Sequence, residues 1–216
     1  MSTITIEQVH RCMSAHLSLY KWRKPHYQHV MLSSLQRLWV ANHHSALDVG
    51  GGTGVMAQMV KVLFGVDRVS SVDVENRYLP SLDIDTAVFD GRALPFPDGS
   101  FDCVLLFNVL HHVPVAAREQ LLLECRRVAG RGPLYIKDHV SGGTVDDLRL
   151  AALDLLGNVP FHGMVTASYL REREWNDLAV RTGHRIEQAP FADYRTGVAT
   201  FIFPNRLETS MRWLPR

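Results

Sequence analysis

The sequence predicts an α/β fold: a doubly wound, mostly parallel seven-stranded sheet with an antiparallel edge strand and a cap of N-terminal helices. Three observations carry this. A short apolar segment, Ala46-Leu47-Asp48-Val49, runs straight into a glycine loop, Gly50-Gly51-Gly52-Thr53-Gly54. Short apolar segments then alternate with helix-length amphipathic ones as far as residue 137, the rhythm of strand–helix–strand units around a parallel sheet. Residues 101–107, Phe-Asp-Cys-Val-Leu-Leu-Phe, are almost continuously apolar, which suits a strand covered on both faces.

Residues 5–42 read as helical, with Leu32, Leu35, Leu38 and Trp39 on one apolar face. Pro25 separates two helices there. Residues 46–50 form the first strand, and 55–64 a helix stopped near Gly65. Residues 68–73 and 86–89 are the second and third strands, 101–107 the fourth. Residues 114–128 form an amphipathic helix with leucines at 121, 122 and 123, and 134–137 the fifth strand. The tail differs. Residues 184–188 and 198–203 have strand character with no helix between them, and they close one sheet edge as an antiparallel pair. The length suits one α/β domain and is short for two. It divides into a helical cap (1–44), a core (45–140), a substrate-side insertion (141–183) and C-terminal strands (184–216).

Lys and Arg number 23 against 22 Asp and Glu, a net charge of +1. No basic stripe advertises a nucleic-acid partner. The three cysteines lie far apart and lack metal-type spacing, which fits a reducing compartment. Cys103, inside the apolar run, reads as a small buried hydrophobe. No apolar run approaches the ~18 residues of a membrane span. The N-terminus lacks an apolar signal core, so a cytoplasmic location is expected. Eleven histidines suggest metal. However, His43-His44 and His111-His112 are adjacent pairs expected to face different ways, and His26 and His29 form the one helical i,i+3 pair. No metal site is expected.

The glycine loop carries the chemistry. Glycines let the backbone turn sharply and approach a ligand. The helix after Gly54 turns free N–H groups and its positive dipole end toward the crevice. Asp73 ends the second strand, where a carboxylate can accept both ribose hydroxyls, with Val74 beside it and Glu75 as the alternative acid. Gly52-x-Gly54-x-x-Ala57, with Asp73 about 20 residues on, also satisfies the dinucleotide fingerprint. The loop alone therefore announces an adenosine-type cofactor and leaves its identity open.

Asp90-Gly91-Arg92-Ala93-Leu94-Pro95-Phe96-Pro97-Asp98-Gly99-Ser100-Phe101-Asp102 resembles the segment after the third strand of class I S-adenosylmethionine (SAM)-dependent methyltransferases, in the branch shared with ubiquinone/menaquinone-type enzymes. Phe107-Asn108-Val109-Leu110-His111-His112-Val113 is similar to the segment after their fourth strand. Residues 122–130 and 134–136 resemble their passage from helix to fifth strand. The likeness spans about residues 46–139. It implies a Rossmann-like methyltransferase fold with SAM as cofactor and S-adenosylhomocysteine as product. Asp48 and the loop from Gly50 through Gly51 and Gly52 to Gly54 would hold the methionine half. Asp73 would bind the ribose, Asp90 the adenine amine beside Gly91 and Arg92, and Asn108 would lie by the substrate mouth. Chemistry agrees: SAM has no pyrophosphate, so extra acids are useful. Arg131-Gly132-Pro133 departs from the commoner Gly-Gly turn, with little consequence. Asp98-Gly99 reads as a turn and Asp102 as structural.

Methyl transfer from a sulfonium is an in-line displacement, so the protein mainly positions an acceptor and excludes water. An oxygen acceptor also needs a base. His139 is the first candidate, with Asp138 as its orienter, then His112 and His162. The partner is a small-molecule acceptor, with oxygen, nitrogen or carbon left open. Its pocket is expected under the first helices and the insertion. Ser141-Gly142-Gly143 would act as a hinge, Phe161-His162-Gly163-Met164 and Tyr169 as lining, Trp22 and Tyr27 as a cap. A homodimer stays open. The alternatives are a non-enzymatic SAM-binding protein and, less favoured, an NAD-dependent enzyme.

Overall fold

The first helix, α1 (Ile6–His16), starts where Thr5 dictates. The Thr5 hydroxyl accepts from the Gln8 N–H at 3.2 Å, and the Gln8 side chain accepts from the Thr5 N–H at 2.8 Å. After a 3-10 turn at Ser18–Lys21, Pro25 opens α2 (His26–Leu38), as the sequence predicts. The computed structural model describes residues 2–40, 42–158, 166–189, 191 and 193–216.

Seven strands follow: β1 (Ser45–Val49), β2 (Arg68–Asp73), β3 (Asp85–Val88), β4 (Cys103–Phe107), β5 (Leu134–His139), β6 (His184–Ala189) and β7 (Glu208–Pro215). They lie in the order β3-β2-β1-β4-β5-β7-β6. β1 pairs in parallel with both β2 and β4. The chain therefore winds outward one way through β2 and β3, then the other way through β4 and β5. Such a reversal leaves a crevice beyond the C-terminal ends of the two central strands. Six strands run parallel, and β7 runs antiparallel between β5 and β6, one place in from the edge.

Helix α3 (Val55–Phe64) leaves the glycine loop from Gly54, whose φ of 78° suits glycine, and ends on Gly65. The central strands β1, β4 and β5 are buried on both faces, so alternate residues serve different cores. Cys103, Leu105 and Phe107 pack toward α1, α2 and α3. Val104 and Leu106 pack toward α4 (Val115–Ala129) and α6 (Glu172–Arg181). Helix α5 (Thr144–Asn158) covers a smaller cluster of Leu150, Tyr169 and Leu207. Asp102 is structural, as expected: its carboxylate accepts from the His44 and Ser45 N–H groups at 2.7 and 2.9 Å and fixes the entry to β1. Gly99 turns at φ 62° after Asp98, which pairs with Arg127 at 2.9 Å. Among the described residues, no helix is long and apolar enough to cross a membrane.

One expected strand is a helix. Residues 198–203 form the short α7 (Val198–Ile202), with Val198, Phe201 and Ile202 exposed. Gly197 at φ 58° and Pro204 confine that apolar run. The place beside β5 goes to β7 instead, which buries Met211 and Trp213 in the core. Its Arg212 donates to Glu187 of β6 at 2.9 Å. Thr209, Ser210 and Arg212 dilute the apolar alternation of β7, which hides it in the sequence.

Candidate functional site

A cavity of about 560 Å³ opens at the C-terminal ends of β1 and β4. Its floor is the glycine loop, with Gly50, Gly51 and Gly52 on the wall. A Cβ on Gly51 would stand 1.9 Å from Ser71 Oγ and 2.6 Å from Asp48 Oδ2, so no side chain fits there. Asp73 is 3% exposed and ties the loop to β2: Oδ2 accepts from the Gly52 N–H at 2.7 Å and Oδ1 from the Glu75 N–H at 3.2 Å. Val74 lines the cavity beside it. Asp90 stands on the same rim with Gly91 and Arg92. Its Oδ1 accepts from the Arg92 and Ala93 N–H groups at 2.8 and 3.1 Å, and these bonds hold its carboxyl below the ordinary range.

Two predicted cofactor residues do not line the cavity. Asp48 is 1% exposed beneath the loop, where Oδ2 accepts from Ser71 Oγ at 2.8 Å. Burial pushes its pKa up to about 7, against the Ser71 hydrogen bond and with help from the Asp73 charge. It braces the loop from behind. Gly54 is likewise turned away, as the start of α3.

Asn108 does line the cavity, directly after β4, with a left-handed φ of 58° that asparagine tolerates better than most non-glycine residues. Two of the groups that hold it, Lys137 and Glu208, were not singled out in the sequence. Lys137 of β5 donates to Asn108 Oδ1 at 2.6 Å, to Glu208 Oε2 at 2.6 Å, and to the Tyr27 hydroxyl. Asn108 Nδ2 donates to the same hydroxyl at 3.0 Å. Glu208 also accepts from Arg195 at 2.6 Å and Tyr194 at 3.1 Å. Burial opposes the Lys137 charge, but Glu208 and Tyr27 outweigh it and raise its pKa. Burial works against Glu208 too, yet Lys137 and His139 hold it well below the usual carboxylate range. The signal was present: a lysine inside the apolar strand Leu-Tyr-Ile-Lys demands a buried partner. Tyr27 belongs to this network and does not cap the cavity. Trp22, 94% exposed, does not cap it either.

The histidines are redistributed. His139 is not at the cavity. β5 runs two residues past its expected end, and His139 pairs with Glu208 inside the sheet. Its Nδ1 lies 3.2 Å from Glu208 Oε2 and its Nε2 3.8 Å from Asp154 Oδ1. Asp138 does not orient the His139 ring. It accepts from the Leu110 and His139 N–H groups at 2.9 and 2.7 Å and from Nδ1 of His111. His111, 1% exposed, sits between Asp138 and Asp154. Burial opposes its charge, but the two carboxylates raise its pKa to about 9. His112 lines the cavity, and burial followed by the His111 charge lowers its pKa. The two rings do not face apart: their centroids are 4.0 Å from each other. With Asp154 they form a group of metal-ligand type.

The rest of the lining is largely apolar. Met13, Leu17 and Tyr20 come from the N-terminal helices, as expected of a roof, and Val113 and Leu121 from the α4 side. Among the described residues the insertion contributes nothing to the lining. Tyr169 is buried and donates to Asp154 at 2.5 Å. Ser141, expected in a hinge, is buried and accepts from Arg171 ahead of α5. Phe161, His162, Gly163 and Met164 lie outside the described residues.

Residues 47–136 match a family model described as a methyltransferase domain. No curated protein matches the chain. Solved structures match it over most of its length. One is a chain of the Haloferax volcanii complex between the Trm112 methyltransferase activator and a methyltransferase: 15% identity, 96% of this chain, 93% of that chain, TM-score 0.66. Another is the YcgJ protein of Bacillus subtilis: 16% identity, 88% and 99% coverage, TM-score 0.63. A third is a SAM-dependent methyltransferase of Thermotoga maritima: 15% identity, 98% and 100% coverage, TM-score 0.62. At such identities the likeness shows the fold. The family match adds that residues 47–136 resemble a methyltransferase domain, and the fold is that of the SAM-dependent methyltransferase of Thermotoga maritima.

Proposed function

We propose that the chain transfers the methyl group of SAM to a small organic acceptor held under α1 and the 3-10 turn that follows it. One observation carries this reading: a single cavity is lined by the acids Asp73 and Asp90, by the glycine loop, and by apolar Met13, Leu17 and Tyr20 of the N-terminal segment. Its volume of about 560 Å³ falls in the range of small-molecule sites, roughly 300–1,000 Å³. In this reading Asp73 takes the ribose hydroxyls, Asp90 the adenine amine, and Gly50 to Gly52 the methionine end. Asn108, locked by Lys137 and Tyr27, marks the junction of donor and acceptor. Of the predicted bases among the described residues, His112 is the one that meets the cavity. Displacement at an activated methyl asks chiefly for alignment and dryness, which a roofed apolar compartment supplies.

Calorimetry with S-adenosylhomocysteine tests the donor half. Each hydrogen bond to a charged group contributes roughly 1.5–3 kcal/mol, so Asp73→Ala should weaken binding by about 10–100-fold. Part of that loss comes through the Gly52 contact. A screen of acceptors with isotope-labelled SAM tests the transfer. Absence of S-adenosylhomocysteine binding to the wild-type chain would overturn the reading.

A further inference from the structure

β4 ends at Phe107, and the turn that follows places His111 and His112 side by side. α5 brings Asp154 against them. One ligand atom from each of the three residues lies within 4.8 Å of the others. His111 Nε2 is 3.4 Å from Asp154 Oδ2. We propose that this cluster binds one divalent first-row transition metal ion, with zinc as the reference, through His111, His112 and the Asp154 carboxylate.

The donor set is the first argument. Two imidazoles and a carboxylate suit zinc and its neighbours in the series, and poorly suit calcium or magnesium. With bonds of about 2.0–2.1 Å, two ligands of a tetrahedral zinc stand about 3.3 Å apart, close to the 3.4 Å between His111 Nε2 and Asp154 Oδ2. The second argument is the orphaned atom. His111 is 1% exposed, and its Nε2 makes no hydrogen bond, because the approach to Asp154 lacks the required geometry. A buried imidazole nitrogen that faces a carboxylate at 3.4 Å without a hydrogen bond is satisfied by a cation between the two, and uptake of the ion releases the Nε2 proton to solvent.

The third argument is the surrounding shell. Metal-ligating histidines almost always donate their other ring N–H to a carboxylate or a carbonyl. His111 Nδ1 is held by Asp138, and His112 Nδ1 by the Thr166 carbonyl at 2.8 Å. The Asp138 anchor leaves His111 Nε2 as the atom turned to Asp154. Asp154 is oriented in turn by the Tyr169 hydroxyl at 2.5 Å. Its other oxygen faces His139 Nε2 at 3.8 Å, and His139 is backed by Glu208 at 3.2 Å. Each proposed ligand thus has an outer partner already in place.

Three protein ligands leave a tetrahedral ion one open position. His112 is the ligand that lines the cavity, so this is where the ion would meet a bound molecule. Resting on the methyltransferase reading, the acceptor class this favours carries an oxygen donor able to bind the metal.

The test uses the full chain, stripped with a chelator and titrated with cobalt(II) followed by visible absorption, and with zinc by calorimetry. The wild type should take up one equivalent of cobalt(II) with the bands of a low-coordinate nitrogen–oxygen site. His112→Gln and Asp154→Asn should weaken uptake by at least about tenfold, a loss that even an outer partner can bring. His26→Gln, on an exposed residue outside the cluster, should bind cobalt(II) like the wild type. Far-UV circular dichroism and a cooperative thermal transition report whether each variant is folded; if Asp154→Asn fails that check, His112→Gln decides. No stoichiometric uptake by the wild type, or undiminished uptake in the folded variants, overturns the site. Loss of S-adenosylhomocysteine binding in the wild type speaks instead against the cofactor reading and leaves the metal result intact.

Discussion

Asp48 shows how burial converts an expected ligand into a brace. The sequence placed it at the amino-acid end of the cofactor because it precedes the glycine loop. The fold turns it under the loop, against Ser71, where Gly51 alone leaves room for it. Its pKa, pushed up to about 7 from an ordinary carboxyl value, means that the fold favours the protonated form. The associated stability is complete below about pH 4 and is lost as pH rises through 7. At about 1.4 kcal/mol per unit, the loss reaches up to about 4 kcal/mol. Urea unfolding at pH 5 and pH 8 should therefore show the wild type losing stability relative to Asp48→Asn. A wild-type-to-variant difference independent of pH would mean that Asp48 is ionised throughout. Asp73 was legible from its place at the end of β2, and Asp90 and Asn108 from the resemblance to methyltransferases; all three line the crevice at strand ends. Position along the chain did not distinguish Asp48 or His139 from them, because inward or outward orientation is set by neighbouring strands.

Among the elements, β7 decides most. Its insertion between β5 and β6 places Glu208 opposite His139 and within 2.6 Å of Lys137. A charged pair at this depth is costly to break from one side, by about 3–5 kcal/mol, because the remaining charge stays buried. Glu208→Gln should lose stability of that order in denaturant unfolding. The double variant Lys137→Met/Glu208→Gln should lose less than the two single changes added together. Strict additivity would show that the pair is not coupled. Tyr27 joins the same network from α2, so the cap helices and the β4 end share one fixed geometry. The sequence showed helices at both ends of the cap and a lysine in β5. It did not show that they meet.

For the whole molecule, the reversal of strand order between β1 and β4 sets the position of the crevice, and the N-terminal helices close it. Binding to the folded state alone stabilises by about 2.7 kcal/mol at a ligand concentration of 100 Kd. For a chain of this size that corresponds to a rise in Tm of about 5–11 °C. Thermal unfolding with S-adenosylhomocysteine should show it, and an unchanged Tm would argue against the crevice as the cofactor site.

The amino-acid sequence by itself determined the strand–loop–helix unit at Asp48 to Phe64, the run of parallel strands, and the rim acids Asp73 and Asp90. These depend on local periodicity and on glycines whose backbone demands are local. Tertiary structure alone decided which apolar run becomes β7, which acid faces inward, and that His111, His112 and Asp154 converge. Those outcomes depend on contacts between residues far apart in the chain, where the free energy of burial and pairing is fixed by neighbours that no local pattern specifies.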